Sequence, residues 1–204
     1  MEQHEHRTIQ KLQEAERETR KQLILTAALT LFGEKQISKV GMRDIAGEAG
    51  ISPALIYRHF EDQDELFIEA FVKKSKEMIA NFETTLSSQQ IVSIEKTAKE
   101  FIHYLLNHPY FFRMMTYFML DHTLTEKHLD QFNMAMRELL SIFDRGFEHS
   151  GMTKDVRLHS HALLSALNGV MITFHHYPGR SEDETEAHIN KIVALIASLF
   201  VNAS

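Results

Sequence analysis

Histidine is the chemistry-bearing residue that stands out in this 204-residue chain, with thirteen copies. An imidazole can move protons near neutral pH, and it can bind a metal ion through a ring nitrogen. The closest approaches to a ligand set are His122 with Glu126, His159 with His161, and His175 with His176. None of these groups supplies three ligands on one helix face, and there is no His-Glu-x-x-His motif. We therefore expect surface or hydrogen-bonded histidines and no metal site.

Other catalytic groups are sparse. The chain has no cysteine, which excludes disulfides, thiolate-bound metals, iron–sulfur clusters and cysteine nucleophiles, and fits a reducing compartment. There is no glycine-rich phosphate loop and no serine nucleophile elbow. The sequence predicts neither an enzyme nor a bound cofactor.

The most informative spacing lies in residues 40–67, VGMRDIAGEAGISPALIYRHFEDQDELF. It predicts two short helices, 41–49 and 52–59, parted by Gly50 at a sharp turn with positive φ. Ala46 is small where the helices would cross, and Ser52 and Pro53 suit the cap and first turn of the second helix. This is typical of a helix-turn-helix, which binds double-stranded DNA. The alternative is a compact corner of a helical core.

The second of these helices has two distinct faces. Small residues at its start would allow close entry into the major groove of DNA. The residues expected to point outward are Pro53, Ala54, Leu55, Tyr57, Arg58 and His59. The residues expected to be buried in this corner are Ile45, Ala49, Ile51 and Ile56.

A helical period runs through the rest of the chain. Apolar residues recur three and four apart, as in Ile24, Ala28 and Leu31, and no run alternates like a strand. The sequence predicts an all-α protein of about nine helices, with capping boxes at Asp62–Glu65 and Ser181–Glu184. Residues 8–20 should extend the first helix, residues 86–90 read as a linker, and Pro109 should end a helix near Asn107.

The segment 20–67 resembles the TetR family of bacterial transcriptional regulators. The resemblance rests on Ile24–Phe32, Arg43–Ala46, Ala49–Ser52, Ile56–Phe60 and Glu65–Phe67. It implies an all-helical homodimer with an N-terminal DNA-binding head, residues 1–66 with a polar extension over 1–19. It also implies a C-terminal domain, residues 67–204, for effector binding and dimerisation.

The resemblance also implies roles for individual residues in binding operator DNA. Arg43 and residues 53–55 would face base edges, whereas Tyr57 and His59 would meet the phosphate backbone. The implied DNA-binding set is Gly41, Met42, Arg43, Ser52, Pro53, Ala54, Leu55, Tyr57, Arg58, His59 and Gln63. Residues 1–66 nevertheless hold nine basic and twelve acidic residues within a chain of net charge −6. High non-specific affinity for DNA is therefore not expected.

Methionine and aromatic residues are dense between residues 101 and 147. A packed core explains most of them, but methionine also lines adaptable apolar pockets. Because the resemblance implies a cavity, we expect a small apolar or aromatic effector there. The candidate lining residues are Phe101, Tyr104, Phe112, Met115, Met119, Phe132, Met136, Phe143 and His175.

The last two helices are expected to form the dimer seam. The earlier one carries a stripe of small residues, and the final one carries two apolar faces, of which a monomer would need only one. The seam set is Ala162, Ala166, Gly169, Thr173, Ile189, Ile192, Val193, Ile196 and Phe200; Leu195 and Leu199 share the face of Ile192. Burial within a monomer is the alternative.

Together these features predict a ligand-responsive, dimeric regulator, most simply a repressor that an apolar effector releases from its operator. A regulator without a small-molecule effector, acting as an activator or through protein partners, is the alternative, and an all-helical enzyme ranks below both. The polar N-terminus is no signal peptide, and the apolar stretch 192–204 is too short to span a bilayer. We therefore expect a cytoplasmic protein with no membrane partner.

Overall fold

In a computed structural model, residues 2–87, 93–120, 124–174 and 177–201 are described. They form nine α-helices and one short 3₁₀ helix, Ile37–Lys39, and no strand occurs among them. The helices are α1 (Glu2–Glu34), α2 (Met42–Glu48), α3 (Pro53–Ile56), α4 (Gln63–Ser87), α5 (Ile94–Asn107), α6 (Pro109–Leu120), α7 (Glu126–His149), α8 (Val156–Phe174) and α9 (Glu182–Val201). The prediction of an all-α fold is confirmed.

The helix boundaries follow local sequence signals. Before α4, the N–H of Glu65 donates to Asp62 Oδ1 at 2.7 Å, and the N–H of Glu61 donates to the Glu65 carboxylate. Before α9, Ser181 and Glu184 bond reciprocally through side chain and backbone. The predicted capping box at Ser181–Glu184 is confirmed, whereas at Asp62–Glu65 only the Asp62 half forms and Glu65 accepts from Glu61 instead of from Asp62. The break before Pro109 separates α5 from α6 as predicted.

Residues 8–20 lie within α1 as predicted. Of the predicted linker, residues 86 and 87 belong to α4, and residues 88–90 lie outside the described part of the chain. None of the helices in the described part is long and apolar enough to cross a membrane.

The chain divides into two compact units. The first comprises residues 1–73 and 110–132, and the second comprises residues 74–109 and 133–204. This division places α6 and the start of α7 with the N-terminal helices, whereas the sequence suggests a functional boundary at residue 66. Helix α4 runs without interruption through residues 73 and 74.

Aromatic rings join the helices of the first unit. The ring of Phe32 in α1 meets that of Phe67 in α4 edge-on, with centroids 4.7 Å apart. One turn along α4, Phe71 stacks on Phe111 of α6 at 5.3 Å and also contacts Phe132 of α7 at 5.2 Å. Arg113 of α6 donates to the carbonyl of Phe32 at 2.6 Å, which satisfies an acceptor that the end of α1 leaves free.

In the second unit, α5 packs on α9, and α9 packs on α8. Phe101 of α5 and Phe143 of α7 meet edge-on at 5.2 Å, and both are fully buried. Gly146 of α7 lies so close to α5 that an added Cβ would stand 3.0 Å from Ile94 Cδ1. These helices approach closely because residue 146 carries no side chain.

Candidate nucleic-acid interface

The corner between α2 and α3 has the geometry that its sequence predicts. Gly50 adopts φ = +66°, the left-handed region that favours glycine. The N–H of Ile51 donates to the carbonyl of Ala46 at 3.0 Å and closes the turn. Ser52 occupies the position before α3 in an extended conformation, although its side chain makes no capping hydrogen bond, and Pro53 begins the helix.

Helix α3 is shorter than predicted. It spans only Pro53–Ile56, and residues 57–59 continue as turns in which the N–H of His59 donates to the carbonyl of Ile56 at 2.8 Å. Ile45 and Ile56 are fully buried and anchor the two helices, whereas Ala49 and Ile51 are half-buried. The corner is therefore held by fewer fully buried positions than expected.

The outer face of this corner presents most of the predicted DNA-binding side chains. Those exposed are Arg43, Ser52, Pro53, Ala54, Tyr57 and Arg58, and those half-exposed are Gly41, Leu55, His59 and Gln63. Met42 is the one member of the predicted DNA-binding set that the structure places in the core. Its side chain is buried because it points inward from the first turn of α2, so it is not available to a ligand.

Gln63 holds the start of α2 in place. Its side-chain amide donates to the carbonyl of Val40 at 3.1 Å, and the N–H of Gly41 donates to Asp44 at 2.9 Å. The backbone entering α2 is thus tied to the first turn of α4. A positioning role for Gln63 was not visible in the sequence because its partner lies 23 residues away.

The acidic run at residues 61–65 has a cationic partner that sequence reasoning missed. Lys127 Nζ lies 3.1 Å from a carboxylate oxygen of both Glu61 and Glu65. The hydrogen bonds that Lys127 donates to Glu65 and Glu61 raise its pKa. Burial alone would raise the pKa of Glu65, but the N–H of Glu61 and the Lys127 ammonium lower it below its usual range. Both groups are therefore charged at neutral pH.

His59 lies in a positive field. Burial lowers its pKa, and the charges of Arg17, Arg20, Lys21 and Arg58 lower it further. Its Nδ1 is buried and has no hydrogen-bond partner. In the free protein at neutral pH this imidazole is therefore uncharged.

The candidate effector residues are divided between the two units. Phe112, Met115, Met119 and Phe132 belong to the first unit, and Phe101, Tyr104, Met136 and Phe143 belong to the second. All of them are buried except Met119, which is 43% exposed. His175 lies outside the described residues.

A surface cavity of about 280 Å³ lies in the second unit beside Tyr104. Its other lining residues are Asn81, Phe82, Glu100, His103, Asn107 and His108. Of the predicted effector residues that the structure describes, only Tyr104 reaches it, and the cavity is more polar than expected. The sequence did not indicate this cavity because its residues come from α4 and α5 on opposite sides of an undescribed connection.

The predicted dimer seam separates into inward and outward positions. Ala162, Gly169 and Thr173 are exposed, and Ala166, Ile192, Ile196 and Phe200 are half-buried. Ile189 and Val193 are fully buried within their own unit, so we no longer assign them to a seam between copies. The large exposed side chains are instead Leu158, Ile172, Leu195 and Leu199.

The described histidines do not form a metal site. Within residues 2–87, 93–120, 124–174 and 177–201 no three histidine or carboxylate side chains converge. His159 packs against the ring of Phe147 and donates from Nδ1 to the carbonyl of Asp155 at 2.9 Å. His122, His175 and His176 lie outside these ranges.

Comparisons with known proteins agree with this geometry. The family model of the bacterial regulatory proteins of the tetR family matches residues 24–70. Over 51 residues the chain is 47% identical to an uncharacterized HTH-type transcriptional regulator of Haemophilus influenzae. That match covers 25% of this chain and 25% of the relative, so it spans about a quarter of the relative's length.

Solved structures share the fold along most of the chain. FadR from Bacillus subtilis, in complex with stearoyl-CoA, has a TM-score of 0.68 at 17% identity and covers 87% of this chain and 97% of its own. A transcriptional regulator from Saccharomonospora viridis, in complex with choline, has a TM-score of 0.68 at 20% identity and covers 85% and 94%. At these identities the likeness establishes the fold alone.

The helical fold and the exposed α2–α3 corner define a helix-turn-helix protein. The match over residues 24–70 is more specific. Over these residues the chain is similar to the bacterial regulatory proteins of the tetR family.

The lowered pKa of His59 predicts how the free energy of unfolding depends on pH. Because its pKa is lower in the folded state than in the unfolded chain, the unfolded state binds more protons below about pH 6.5. The contribution of His59 to the free energy of unfolding should therefore fall as the pH drops below that value. In an NMR titration, Arg17→Gln should raise the pKa of His59, whereas Lys154→Gln should leave it unchanged. An unaltered His59 pKa in Arg17→Gln would contradict this account.

Proposed function

We propose that the chain is a dimeric, sequence-specific DNA-binding transcriptional regulator, acting in the cytoplasm as a repressor that a small molecule releases from its operator. The observation that carries the proposal is the exposed α2–α3 corner inside the segment that matches the tetR family. Small, exposed residues at the start of a helix allow it to enter the major groove closely, and Pro53 and Ala54 are such residues at the start of α3.

The exposed residues of the corner suggest two kinds of DNA contact. Arg43 is exposed in the first turn of α2 and forms no ion pair within the described part of the chain. A free guanidinium can bind guanine through two hydrogen bonds. Tyr57 and His59 lie just beyond α3, where a phenol or imidazole would reach the sugar-phosphate backbone. Arg43 therefore specifies the sequence in this proposal, and Tyr57 and His59 position the protein on it.

Substitutions should separate these roles. Tyr57→Ala should weaken binding to all operator variants by a similar factor, because a backbone contact carries no sequence information. Arg43→Ala should relax discrimination between operator variants by about 1–3 kcal/mol, the worth of a bidentate base contact. Titrations of each variant against a matrix of mutated operators would measure both effects. If both variants bound every operator like the wild type, the corner would not be the DNA-binding surface.

Dimerisation is supported by apolar surface on α8 and α9. Leu158 and Ile172 on α8 are 67% and 63% exposed, and Leu195 and Leu199 on α9 are 61% and 63% exposed. On α8 these positions share a face with Ala162 and Gly169 at spacings of three and four residues. Large apolar side chains gathered on two packed helices are typical of an interface. A second copy of the chain is the occupant that we propose.

Gly169→Glu should convert the dimer into monomer. Gly169 is exposed and has open space around it, so the substitution fits within one copy but places a charge in the proposed seam. Gly33→Glu is the matched control, because Gly33 is also an exposed helical glycine with open space around it. Light scattering would report the molar mass of each. A wild-type chain that is monomeric at micromolar concentration would refute the dimer.

The proposed effector has a largely apolar body and a polar end. Phe101 lies one turn from Tyr104 on α5 and contacts Phe143, so a ligand entering the cavity at Tyr104 would meet these two rings if the core opened. His103 and Tyr104 offer hydrogen bonds at the mouth. Proteins of this fold are known in complex with stearoyl-CoA and with choline, which supports a ligand site within the helical body.

The effector would act through α4. This helix follows the α2–α3 corner and continues without a break into the second unit, and Gln63 at its start holds the backbone before α2. Two recognition helices must sit about 34–36 Å apart to enter successive major grooves. A displacement of α4 by a few ångströms in each copy would break that spacing. Operator DNA should weaken effector binding by the same factor, since the coupling is reciprocal.

Thermal shifts with decanoic acid, indole and choline test the effector class. Decanoic acid or indole should raise Tm, because burying an apolar body contributes up to about 25 cal/mol per Å² before association costs. Tyr104→Phe should reduce the shift without lowering the basal Tm, whereas Lys154→Gln should leave it unchanged. A shift with choline alone would favour a cationic ligand held by Glu100. No shift with any probe would favour a regulator without a small-molecule effector, which the filled packing of Phe101 on Phe143 also suits.

A further inference from the structure

The polar half of α1 packs beside the end of α3. Between them lies a cleft of about 270 Å³ within the first unit. Glu16, Arg17 and Arg20 line it from α1, and Leu55, Arg58 and His59 line it from α3 and the turn that follows. Residues 13, 16, 17 and 20 share one face of α1 because they are three or four positions apart. The N-terminal extension is therefore part of a formed surface.

Positive charge converges on this cleft. Three guanidinium groups line it, those of Arg17, Arg20 and Arg58, against the single carboxylate of Glu16. That carboxylate pairs with Arg20 at 2.5 Å. Arg17 and Arg58 form no ion pair with any residue in the described part of the chain. Two guanidinium groups are thus available to an anion.

His59 lies at the same place and has an unused hydrogen-bonding atom. Its Nδ1 is buried without a partner, and burial together with the surrounding cations lowers its pKa. A neutral imidazole can donate one hydrogen bond, and a bound anion would favour a second proton on the ring. An acceptor-rich anion such as phosphate would satisfy both the guanidinium groups and this nitrogen.

We propose that this cleft binds a backbone phosphate of duplex DNA, so that α1 extends the DNA interface beyond the helix-turn-helix. The inference rests on the proposed function, because Leu55, Arg58 and His59 belong to the surface proposed to face DNA. A strand whose phosphates pass the end of α3 meets the cleft directly. The site also accounts for DNA binding by a segment whose net charge is negative, since the positive charge is gathered at one place.

Arg17→Gln tests the site through the salt dependence of duplex binding. Each neutralised phosphate contributes about 0.9 to the slope of log K against log salt concentration. The variant should lower that slope by about 0.9 per protomer, equally for operator and for unrelated duplex. Between 50 and 200 mM salt, its affinity should fall about 3.5-fold less per protomer than that of the wild type. Lys154→Gln is the control, because Lys154 is an exposed cation in the second unit.

Glu16→Gln gives a test of opposite sign. It releases Arg20 from its ion pair, so duplex affinity at fixed salt should rise roughly two- to fivefold, the worth of one exposed ion pair. Glu18→Gln is its control, because Glu18 accepts from Gln22 and does not line the cleft. Circular dichroism would verify that each variant keeps its helical content.

The outcomes separate this inference from the proposed function. Operator binding by the wild type with an unchanged slope in Arg17→Gln overturns the phosphate site and leaves the regulator standing. No binding of any duplex overturns both. Calorimetric titration with inorganic phosphate distinguishes the source of the anion. If Arg17→Gln abolishes binding of free phosphate but leaves the duplex slope intact, the cleft is a free-anion site and the DNA contact is refuted.

Discussion

The ring contact between Phe32 and Phe67, together with the contacts of Phe71, is the interaction on which the position of the α2–α3 corner depends. Helix α3 has four residues and α2 has seven, too few to be stable without tertiary packing. Their positions are set by the longer helices around them, and these rings hold α1, α4, α6 and α7 together in one unit. Aromatic pairs in edge-on and stacked geometry add about 0.5–1.5 kcal/mol each beyond the area that they bury. A rigid frame of this kind allows a short helix to present side chains in a fixed direction.

Electrostatics in this protein is local rather than global. The net charge of −6 and the acidic run at residues 61–65 argue against DNA binding when charges are only counted. In three dimensions Lys127 engages Glu61 and Glu65, while the cations near α3 converge on His59. The acidic run is therefore partly neutralised by Lys127, while several cations act on His59. A charge count over the sequence cannot detect this pairing, because Lys127 is more than sixty residues from its partners.

The sequence predicted those features that depend on neighbouring residues. The turn at Gly50, the capping box at Ser181–Glu184 and the break before Pro109 each involve groups within a few positions, so their types and spacing were sufficient. The sequence could not show which of the two apolar faces of α9 points into the core. Both read as buried, and only packing against α5 and α8 determined that Ile189 points inward while Leu195 points outward. The cavity at Tyr104 and the role of Gln63 depend on contacts between distant segments and were missed for the same reason.

The close approach at Gly146 limits how the second unit can deform. The side chains of Ile94 and Thr97 on α5 lie against the backbone of α7 at Gly146, which has no side chain of its own. Moving them apart would open an unfilled gap between close-packed surfaces, at a cost in lost contacts. Sliding one along the other would carry Ile94 and Thr97 onto neighbouring residues of α7, which have a Cβ that Gly146 lacks. Residue 146 therefore sets the register of α5 on α7 as well as their separation.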